Sequence, residues 1–378
     1  MPMPKLLRAA VVATVLLGLV ARAGAAGEPR VVAAGGGPAP PCQPQVAIDD
    51  AGTIHVAWGS GDRVFHRAAR AGEEAFGGES SLSLAPVMAL GMRRGPRVAA
   101  SGGSVCITAI GGPTGKGRDG DVWAVRSTDG GASWSAPVRV NAVEGSAREG
   151  LHGLAAGPDG AMCCVWLDLR NGRTEIMAAT SSDGGATWSR DALVYRSPEK
   201  SVCECCHPAV AYDGRGDVWV QWRNSLSGNR DMFVAHSRDG GRTFGEASKL
   251  GRGTWPLSAC PMDGGAIAVD GGKVASAWRR DRTVYLVEGT AADERALGTG
   301  EQPWIAGTPS GPAVAWVTAR GGTLLLLRPG AAEPVTLAEH AADPVLASGT
   351  GPDAPLVAVW EERDAGGGRV LCRVIGGE

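Results

Sequence analysis

The sequence predicts an all-β chain folded as a β-propeller, a ring of four-stranded antiparallel sheets called blades, and three observations support this. Glycine accounts for 58 of the 378 residues without a collagen-like period, while 44% of the chain is apolar, so many tight turns surround a substantial core. One eight-residue pattern recurs at nearly constant spacing. Around each copy lie four short strand-like runs separated by Gly/Asp turns, as expected for one antiparallel blade.

The recurring pattern is Ser-x-Asp-Gly-Gly-x-Ser/Thr-aromatic, which occupies residues 127–134, 181–188 and 237–244. Its physics is that of a hairpin turn. The Asp side chain can bond backbone amides across the turn, and the glycines accept a positive φ. The hydroxyl adds a local bond, and we expect the aromatic ring to pack between neighbouring sheets.

Complete blades are predicted at 152–197 and 207–250. Weaker copies of the same unit lie at about 44–86, 96–140, 263–298, 303–338 and 343–376. The count is seven blades, or six if one weak copy is misassigned. The last copy has only three strands, and the segment RVVAA at 30–34 would supply the fourth and close the ring.

The N-terminal residues predict a signal peptide over 1–25, which leaves 26–378 as a single propeller domain. Lys5 and Arg8 are followed by a short apolar run at 9–20 and by alternating small residues. The run is too short to cross a bilayer. We therefore expect export to the periplasm or the cell exterior in soluble form, without membrane insertion. A net charge of −2 gives no reason to expect nucleic acid as a partner.

The eight-residue pattern resembles the Asp-box, or BNR repeat, of sialidases and related β-propellers. The stretches CECCH and CPMDGG add a similarity to a group of bacterial sialidase-like proteins. For sialidase activity the resemblance implies three arginines on a sugar carboxylate, an acid/base Asp, and a Tyr nucleophile assisted by Glu. The best-placed arginines are Arg170, Arg223 and Arg280. The last two blades, where the nucleophile is expected, contain no tyrosine.

Sulfur and imidazole groups converge at the predicted mouth of the propeller, where the inner strands of blades three to five begin. The residues are His152, Cys203, Cys205, Cys206, His207, Cys260 and Met262. Thiolate, thioether and imidazole together suit Cu(I), or Zn(II) if the thioether is left out. We therefore expect a metal site, with copper favoured over zinc, and surrounding arginines that attract a small anionic or glycan ligand.

Other interpretations of the same mouth stay open. In an exported protein Cys260 would form a disulfide with Cys203, Cys205 or Cys206, and a propeller clamped in this way would serve to bind another protein. The segment CECCH at 203–207 also satisfies the Cys-x-x-Cys-His pattern for c-type haem attachment. A sialidase-type glycoside hydrolase acting on acidic sugars is the remaining alternative, and its candidate carboxylates are Asp168, Asp231 and Asp263.

Overall fold

A computed structural model describes residues 1, 27–36, 39–113, 120–270, 272–290, 293–351, 354–364 and 367–376. The predicted signal peptide lies outside the described residues except for Met1. Across the described part of the chain, no helix is long and apolar enough to cross a membrane. The helical content of that part is a single 3-10 turn, Pro158–Gly160. The chain is therefore all-β, as predicted.

Three sheets form the first half of the chain. Strand β1 (Arg30–Gly35) belongs to the last sheet and is described below. The first sheet contains β2 (Cys42–Ile48), β3 (Thr53–Ser60), β4 (Arg63–Arg70) and β5 (Ser80–Leu82). The second contains β6 (Val87–Met88), β7 (Arg97–Ser101), β8 (Ser104–Gly112), β9 (Asp121–Ser127) and β10 (Val138–Arg139). The third contains β11 (Ala147–Ala156), β12 (Met162–Asp168), β13 (Glu175–Ser181) and β14 (Ala192–Tyr195).

The second half continues the pattern. The fourth sheet contains β15 (Ala209–Tyr212), β16 (Val218–Arg223), β17 (Met232–Ser237) and β18 (Ser248–Lys249). The fifth contains β19 (Ala266–Asp270), β20 (Lys273–Arg280), β21 (Thr283–Glu288) and β22 (Arg295–Thr299). The sixth contains β23 (Glu301–Thr308), β24 (Gly311–Val317), β25 (Gly322–Leu327), β26 (Val335–Ser348), β27 (Leu356–Asp364) and β28 (Gly367–Ile375), and β1 pairs with β28 at its edge.

The sixth sheet joins two predicted units through the 14-residue strand β26. The first part of β26 pairs with β25, and the second part pairs with β27. The pairing with β27 shifts register between Ala342 and Val345, where Asp343 adopts a φ of 48°. The predicted boundary between the last two blades, at 338–343, therefore lies within one strand. At this point β26 changes its pairing partner from β25 to β27, and the sheet continues unbroken.

The three eight-residue repeats form the turns that precede the last strand of sheets two, three and four, between β9 and β10, β13 and β14, and β17 and β18, which confirms the predicted turn. In the copy at 181–188, the Asp183 carboxylate accepts hydrogen bonds from the Ser181 hydroxyl (2.7 Å) and from the Thr187 backbone N–H (2.9 Å). Gly184 and Gly185 have φ values of 72° and 93°. The aromatic residue that ends this copy, Trp188, packs against the core shared with the preceding sheet.

The core lies between neighbouring sheets. Tryptophans on the second strands of successive units are at most 2% exposed: Trp58, Trp166, Trp222, Trp278, Trp316 and Trp360. The clusters that contain Trp166, Trp222, Trp278 and Trp316 each join two consecutive sheets. The cluster that contains Trp58 joins the first sheet to strands β1, β27 and β28 of the last. These tryptophans are thus core residues, and they fix the spacing of the sheets.

The first strands of the units contact one another in succession. Strand β2 contacts β7, followed by β7 with β11, β11 with β15, β15 with β19, β19 with β23, β23 with β26, and β26 with β2. Their starting ends share one edge of the molecule, which we call the upper mouth. The three Asp-box turns lie at the opposite edge, because three successive antiparallel strands run between those starting ends and each turn.

Candidate metal centre

The loop between β14 and β15 carries the CECCH segment and rests on two sheets. The Val202 backbone N–H donates to the Thr174 carbonyl (3.1 Å), and the Cys203 N–H donates to the Arg223 carbonyl (3.0 Å). Thr174 directly precedes β13, and Arg223 ends β16. The Glu204 carboxylate accepts a hydrogen bond from the Thr174 hydroxyl (3.4 Å). These contacts place residues 202–206 across the boundary between the third and fourth sheets, at the upper mouth.

Three thiols of this loop form a buried cluster, which we call the thiol cluster. The Cys203 sulfur lies 3.1 Å from the Cys206 sulfur and 3.7 Å from the Cys205 sulfur. All three sulfurs lie within 4.8 Å of one another, and none of the three residues is more than 8% exposed. Within the described residues, this is the one set of three or more Cys, His, Asp or Glu side chains whose ligand atoms come so close together.

A second loop, between β18 and β19, brings further sulfur to the thiol cluster. The half-buried Met262 side chain packs against the three cysteines. Cys260 is exposed, and its interaction with the Cys205 thiol raises the pKa of Cys260 to about 11. Met262 has a φ of 56°, a conformation that bulky residues rarely adopt. Five sulfur atoms from two loops thus gather at one place.

Gly264 allows the two loops to come this close. A Cβ built at Gly264 would overlap the carbonyl oxygen of His207 and would lie 2.9 Å from the backbone nitrogen and carbonyl carbon of that residue. The neighbouring Gly265 has a φ of 70°, and a Cβ there would lie 2.6 Å from the Ala277 carbonyl oxygen. The glycines of the CPMDGG stretch are therefore required for the docking of the Met262 loop.

The three thiols of the cluster differ in proton affinity. Hydrogen bonds with Cys205 and Cys206 lower the pKa of Cys203, and the positive charge of Arg223 adds to this effect. Burial raises the pKa of Cys206 well above the ordinary value. Hydrogen bonding to Cys203 raises the pKa of Cys205. The Cys203 sulfur is thus stabilised as a thiolate by its two neighbours, and the thiolate is the form of cysteine that binds a soft cation.

The two predicted histidine ligands are not members of the thiol cluster. His207 is buried and stacks on Trp304, with 6.1 Å between ring centroids. Burial lowers its pKa well below the ordinary value, and the charge of Arg93 contributes. His152 is also buried, and its Nε2 lies 3.0 Å from the Thr108 hydroxyl. Both imidazoles are neutral side chains of the sheet interior, so the sulfur atoms are left as the ligand candidates.

The three predicted arginines all have partners within the protein. Arg170 pairs with Asp168 at 2.8 Å and with Asp191 at 2.5 Å. Arg280 pairs with Glu294 at 2.6 Å. These three salt bridges neutralise the two guanidinium groups, which were expected to attract an anion.

Arg223 is fully buried and donates three hydrogen bonds to backbone carbonyls. The acceptors are the carbonyls of Asp263 (2.9 Å), Arg230 (2.7 Å) and Arg279 (2.8 Å). Arg223 therefore fastens the strand ends and loops beneath the thiol cluster.

The predicted catalytic carboxylates are likewise engaged in structural contacts. Asp231 accepts a hydrogen bond from the Trp255 backbone N–H (2.9 Å) and pairs with Lys249 (3.1 Å). The Asp263 carboxylate accepts the Gln302 backbone N–H at 2.8 Å. The Asp168 carboxylate, besides its salt bridge, accepts the indole N–H of Trp166 at 2.8 Å.

A buried polar cluster at the upper mouth was not predicted. Gln43 donates to the carboxylates of Asp343 (3.1 Å) and Glu361 (2.9 Å), and Gln302 donates to Asp343 (2.9 Å). Burial raises the pKa of Glu361, and the Asp343 charge adds to this. A sequence signal existed, because Gln43, Gln302, Asp343 and His207 each precede a proline at the start of a first strand. This cluster connects the first sheet to the last.

All nine cysteines are free thiols in the structure. The disulfide between Cys260 and the thiol cluster, one of the alternatives left open by the sequence, is therefore not formed in the structure. Cys163 and Cys164 are adjacent residues of one strand and face different cores: Cys163 packs between the third and fourth sheets and Cys164 between the second and third. Cys106 and Cys372 are also fully buried in cores.

Comparison with known proteins supports the Asp-box resemblance. Residues 96–266 match the family model of the BNR repeat-like domain. No curated protein matches the chain. Among solved structures, a protein of unknown function from Dyadobacter fermentans is 14% identical, with a TM-score of 0.52 over 94% of this chain and 99% of that one.

Two further similar structures are carbohydrate-active enzymes. The α-L-arabinofuranosidase from Fusarium graminearum is 13% identical, with a TM-score of 0.53 over 89% of this chain and 93% of that one. An ulvan lyase, from a family of polysaccharide lyases, is 11% identical, with a TM-score of 0.53 over 88% and 91% of the two chains. A hydrolase and a lyase on one scaffold show that the likeness concerns the fold and not the reaction. Residues 96–266 thus match the BNR repeat-like domain, and the structural likeness extends a propeller-type fold over most of the chain.

Proposed function

We propose that this protein is an exported, seven-bladed BNR-type β-propeller that binds one copper(I) ion at its upper mouth, through Cys203, Cys205, Cys206 and Met262. The observation that carries the proposal is the burial of three thiols within 4.8 Å of one another, with a methionine side chain packed on them. Three thiolates and a thioether are soft ligands of the kind that select copper(I).

Seven blades follow if the sixth sheet counts as two blades that share β26. The first strands then form a closed succession of seven, in which β26 contacts β2. Strand β1 completes the last blade through its antiparallel pairing with β28. The hydrogen bonds from Gln43 to Asp343 and Glu361 supply a polar fastening between the same two blades.

The spacing of the sulfurs suits a metal ion. Thiolates that each lie about 2.3 Å from a common ion are about 3.7–4.0 Å apart. Cys203 and Cys205 already have that separation, at 3.7 Å, and the 3.1 Å between Cys203 and Cys206 needs to widen by less than about 1 Å. The ion requires deprotonated sulfur, so binding would release protons from Cys205 and Cys206.

Copper and zinc would use different fourth ligands at the thiol cluster. Copper(I) would use the Met262 thioether, whereas tetrahedral zinc would recruit the exposed Cys260 as a fourth thiolate. We favour copper because Met262 is held against the thiol cluster in an unusual backbone conformation, with a φ of 56°.

The alternative of a hydrolase acting on acidic sugars receives less support from the geometry. Its mechanism needs arginines that are free to bind a substrate carboxylate, but Arg170 and Arg280 are paired with carboxylates of the protein. Arg223 directs its guanidinium at backbone carbonyls.

The test is a copper(I) titration of mature protein, reduced and kept without oxygen, against a colorimetric chelator that competes for the ion. We expect one equivalent of copper per chain in the unmodified protein. Cys206→Ser should abolish stoichiometric binding, and Met262→Ala should weaken it at least about tenfold, or about 1.4 kcal/mol. Cys106→Ser and Met92→Ala are the matched controls, since both lie outside the thiol cluster and should leave the affinity unchanged.

Other outcomes of that experiment would overturn the copper assignment. Zinc binding that depends on Cys260 but not on Met262 would make the site a four-thiolate zinc centre. A Soret absorption band in protein isolated from the exporting cell would favour haem attachment at 203–207. No bound metal under any of these conditions would refute a metal function altogether.

A further inference from the structure

The thiol cluster has a second chemical property that does not depend on a metal. Cys203 and Cys206 stand at the two ends of a turn formed by residues 204 and 205, and their sulfurs are 3.1 Å apart. The ends of such a turn have α-carbons less than about 7 Å apart. Disulfides require α-carbons about 4.4–6.8 Å apart, so closing this pair needs only a small movement of the sulfurs.

The other two cysteines form a path from solvent to that pair. Cys203 and Cys206 are each 1% exposed, so an outside molecule does not reach them directly. Cys260 is exposed and its thiol interacts with that of Cys205, whose sulfur lies 3.7 Å from that of Cys203. Each sulfur in the order Cys260, Cys205, Cys203, Cys206 is therefore next to the following one.

We propose that these four cysteines form a thiol–disulfide relay, in which Cys260 reacts with an external disulfide and the oxidation ends as a disulfide between Cys203 and Cys206. The substrate class is a disulfide of a small thiol or of an exposed protein loop. The relay uses the same sulfurs as the proposed copper site, but it depends on their order from surface to interior and does not require a bound metal.

Each step exchanges one sulfur–sulfur bond for another. The Cys260 sulfur attacks the external disulfide RSSR, which forms a mixed disulfide and releases RSH. Cys205 attacks the Cys260 sulfur of that mixed disulfide and releases the second RSH. Cys203 then attacks Cys205 and frees the Cys260 thiol. Cys206 attacks Cys203 and frees the Cys205 thiol. Overall, two thiols of the protein lose two electrons and two protons to RSSR, which becomes 2 RSH.

Export fits this activity, because disulfides form and persist outside the reducing cytosol. The last disulfide also removes two of the proposed copper ligands, so its formation and copper binding should exclude each other.

The test treats reduced protein, freed of metal by a chelator, with oxidised glutathione, and follows the product by mass spectrometry after alkylation of the remaining thiols. Glu204 separates Cys203 from Cys205 and Cys206 in the sequence, so cleavage after Glu204 yields two fragments that stay joined only if a disulfide spans the cut. We expect joined fragments in the unmodified protein, and separate fragments with glutathione left on Cys260 in Cys205→Ser, which lacks the second member of the relay. In Cys206→Ser the relay stops at a disulfide between Cys203 and Cys205, which also spans the cut, so its fragments stay joined while the Cys203→Ala fragments separate.

The kinetics test the relay itself. Cys260→Ser should slow oxidation by glutathione disulfide at least about tenfold, while the buried control Cys106→Ser should leave the rate unchanged. If the fragments of the fully treated protein separate, or if glutathione remains on Cys260 without an internal disulfide, the relay is refuted.

The same samples keep this result apart from the copper proposal. If the internal disulfide forms but the protein does not bind copper, the relay stands and the metal function is refuted. If the protein binds copper but the internal disulfide does not form, the metal function stands and the relay is refuted. The variant Cys203→Ala, with circular dichroism as a check of folding, repeats the loss of the disulfide with a residue that cannot hydrogen-bond.

Discussion

The exchange Gly264→Ala tests whether the two cysteine-bearing loops dock as the structure describes. The added methyl group would overlap the His207 carbonyl oxygen, and it would come within 2.9 Å of the His207 backbone nitrogen and carbonyl carbon. Ordinary contacts between carbon atoms lie at about 3.5–4.0 Å, so the Gly264 loop must move away by roughly 1 Å or more. Because the atoms on both sides belong to the backbone, no side-chain rotation can relieve the overlap.

The expected magnitude follows from this geometry. Overpacking of a well-packed interior costs about 1–3 kcal/mol, and a clash between backbone segments belongs at the upper end, near 3 kcal/mol. The separation also moves Met262 away from the thiol cluster. We therefore expect a lower free energy of unfolding together with a copper(I) affinity that falls at least as far as in Met262→Ala.

The assay is chemical denaturation, paired with the copper titration on the same preparation. Gly214→Ala is the matched control, because a Cβ at Gly214 would meet nothing within 4 Å and the backbone there does not have a positive φ. That control should be neutral or slightly stabilising, by less than about 1 kcal/mol. An unchanged unfolding midpoint and an unchanged copper affinity for Gly264→Ala would refute the docking of the two loops.

Two further predictions concern the scaffold. Asp239→Ala should destabilise the fold by about 1 kcal/mol at pH 7, since three hydrogen bonds from Ser237 and Thr243 are lost at a solvent-exposed turn. Chiefly the Thr243 hydroxyl lowers the pKa of Asp239 from 3.8 to about 2, so this stabilisation is present above about pH 4 and lost as the pH falls towards 2. The urea midpoints of Asp239→Ala and the unmodified protein should therefore converge in acid. A difference between the midpoints that stays constant with pH would contradict this account. Arg223→Met should cost about 3 kcal/mol or more, because it leaves three buried carbonyls without a donor, and a thermal midpoint equal to that of the unmodified protein would exclude the role of Arg223 as a fastening.

The features that the sequence predicted correctly depend on contacts between neighbours in the chain. In each Asp-box the carboxylate of the turn bonds groups only two to four residues away, so an eight-residue pattern contains the whole interaction. The four-strand unit likewise follows from the alternation of strand runs and Gly/Asp turns. The convergence of Cys203, Cys205, Cys206 and Met262 could be predicted because the repeat places the starting ends of neighbouring strands side by side.

Other features depend on distances in three dimensions that the repeat does not specify. The sequence placed Arg170, Arg223 and Arg280 near one mouth but could not tell that each has its hydrogen-bond partners inside the protein. It also placed His207 beside the cysteines, although a side chain next in sequence can point elsewhere, and this one stacks on Trp304.

The bonds from Gln43 to Asp343 and Glu361 join residues about 300 positions apart. By itself the sequence determined the strands, the turns and the core side chains, since these arise from short-range sterics, hydrogen bonding and the alternation of apolar residues. The partners of the buried charges and the order of the sulfurs were decided only by the tertiary structure, because electrostatic pairing and sulfur contacts act through space and vary steeply over a few ångströms.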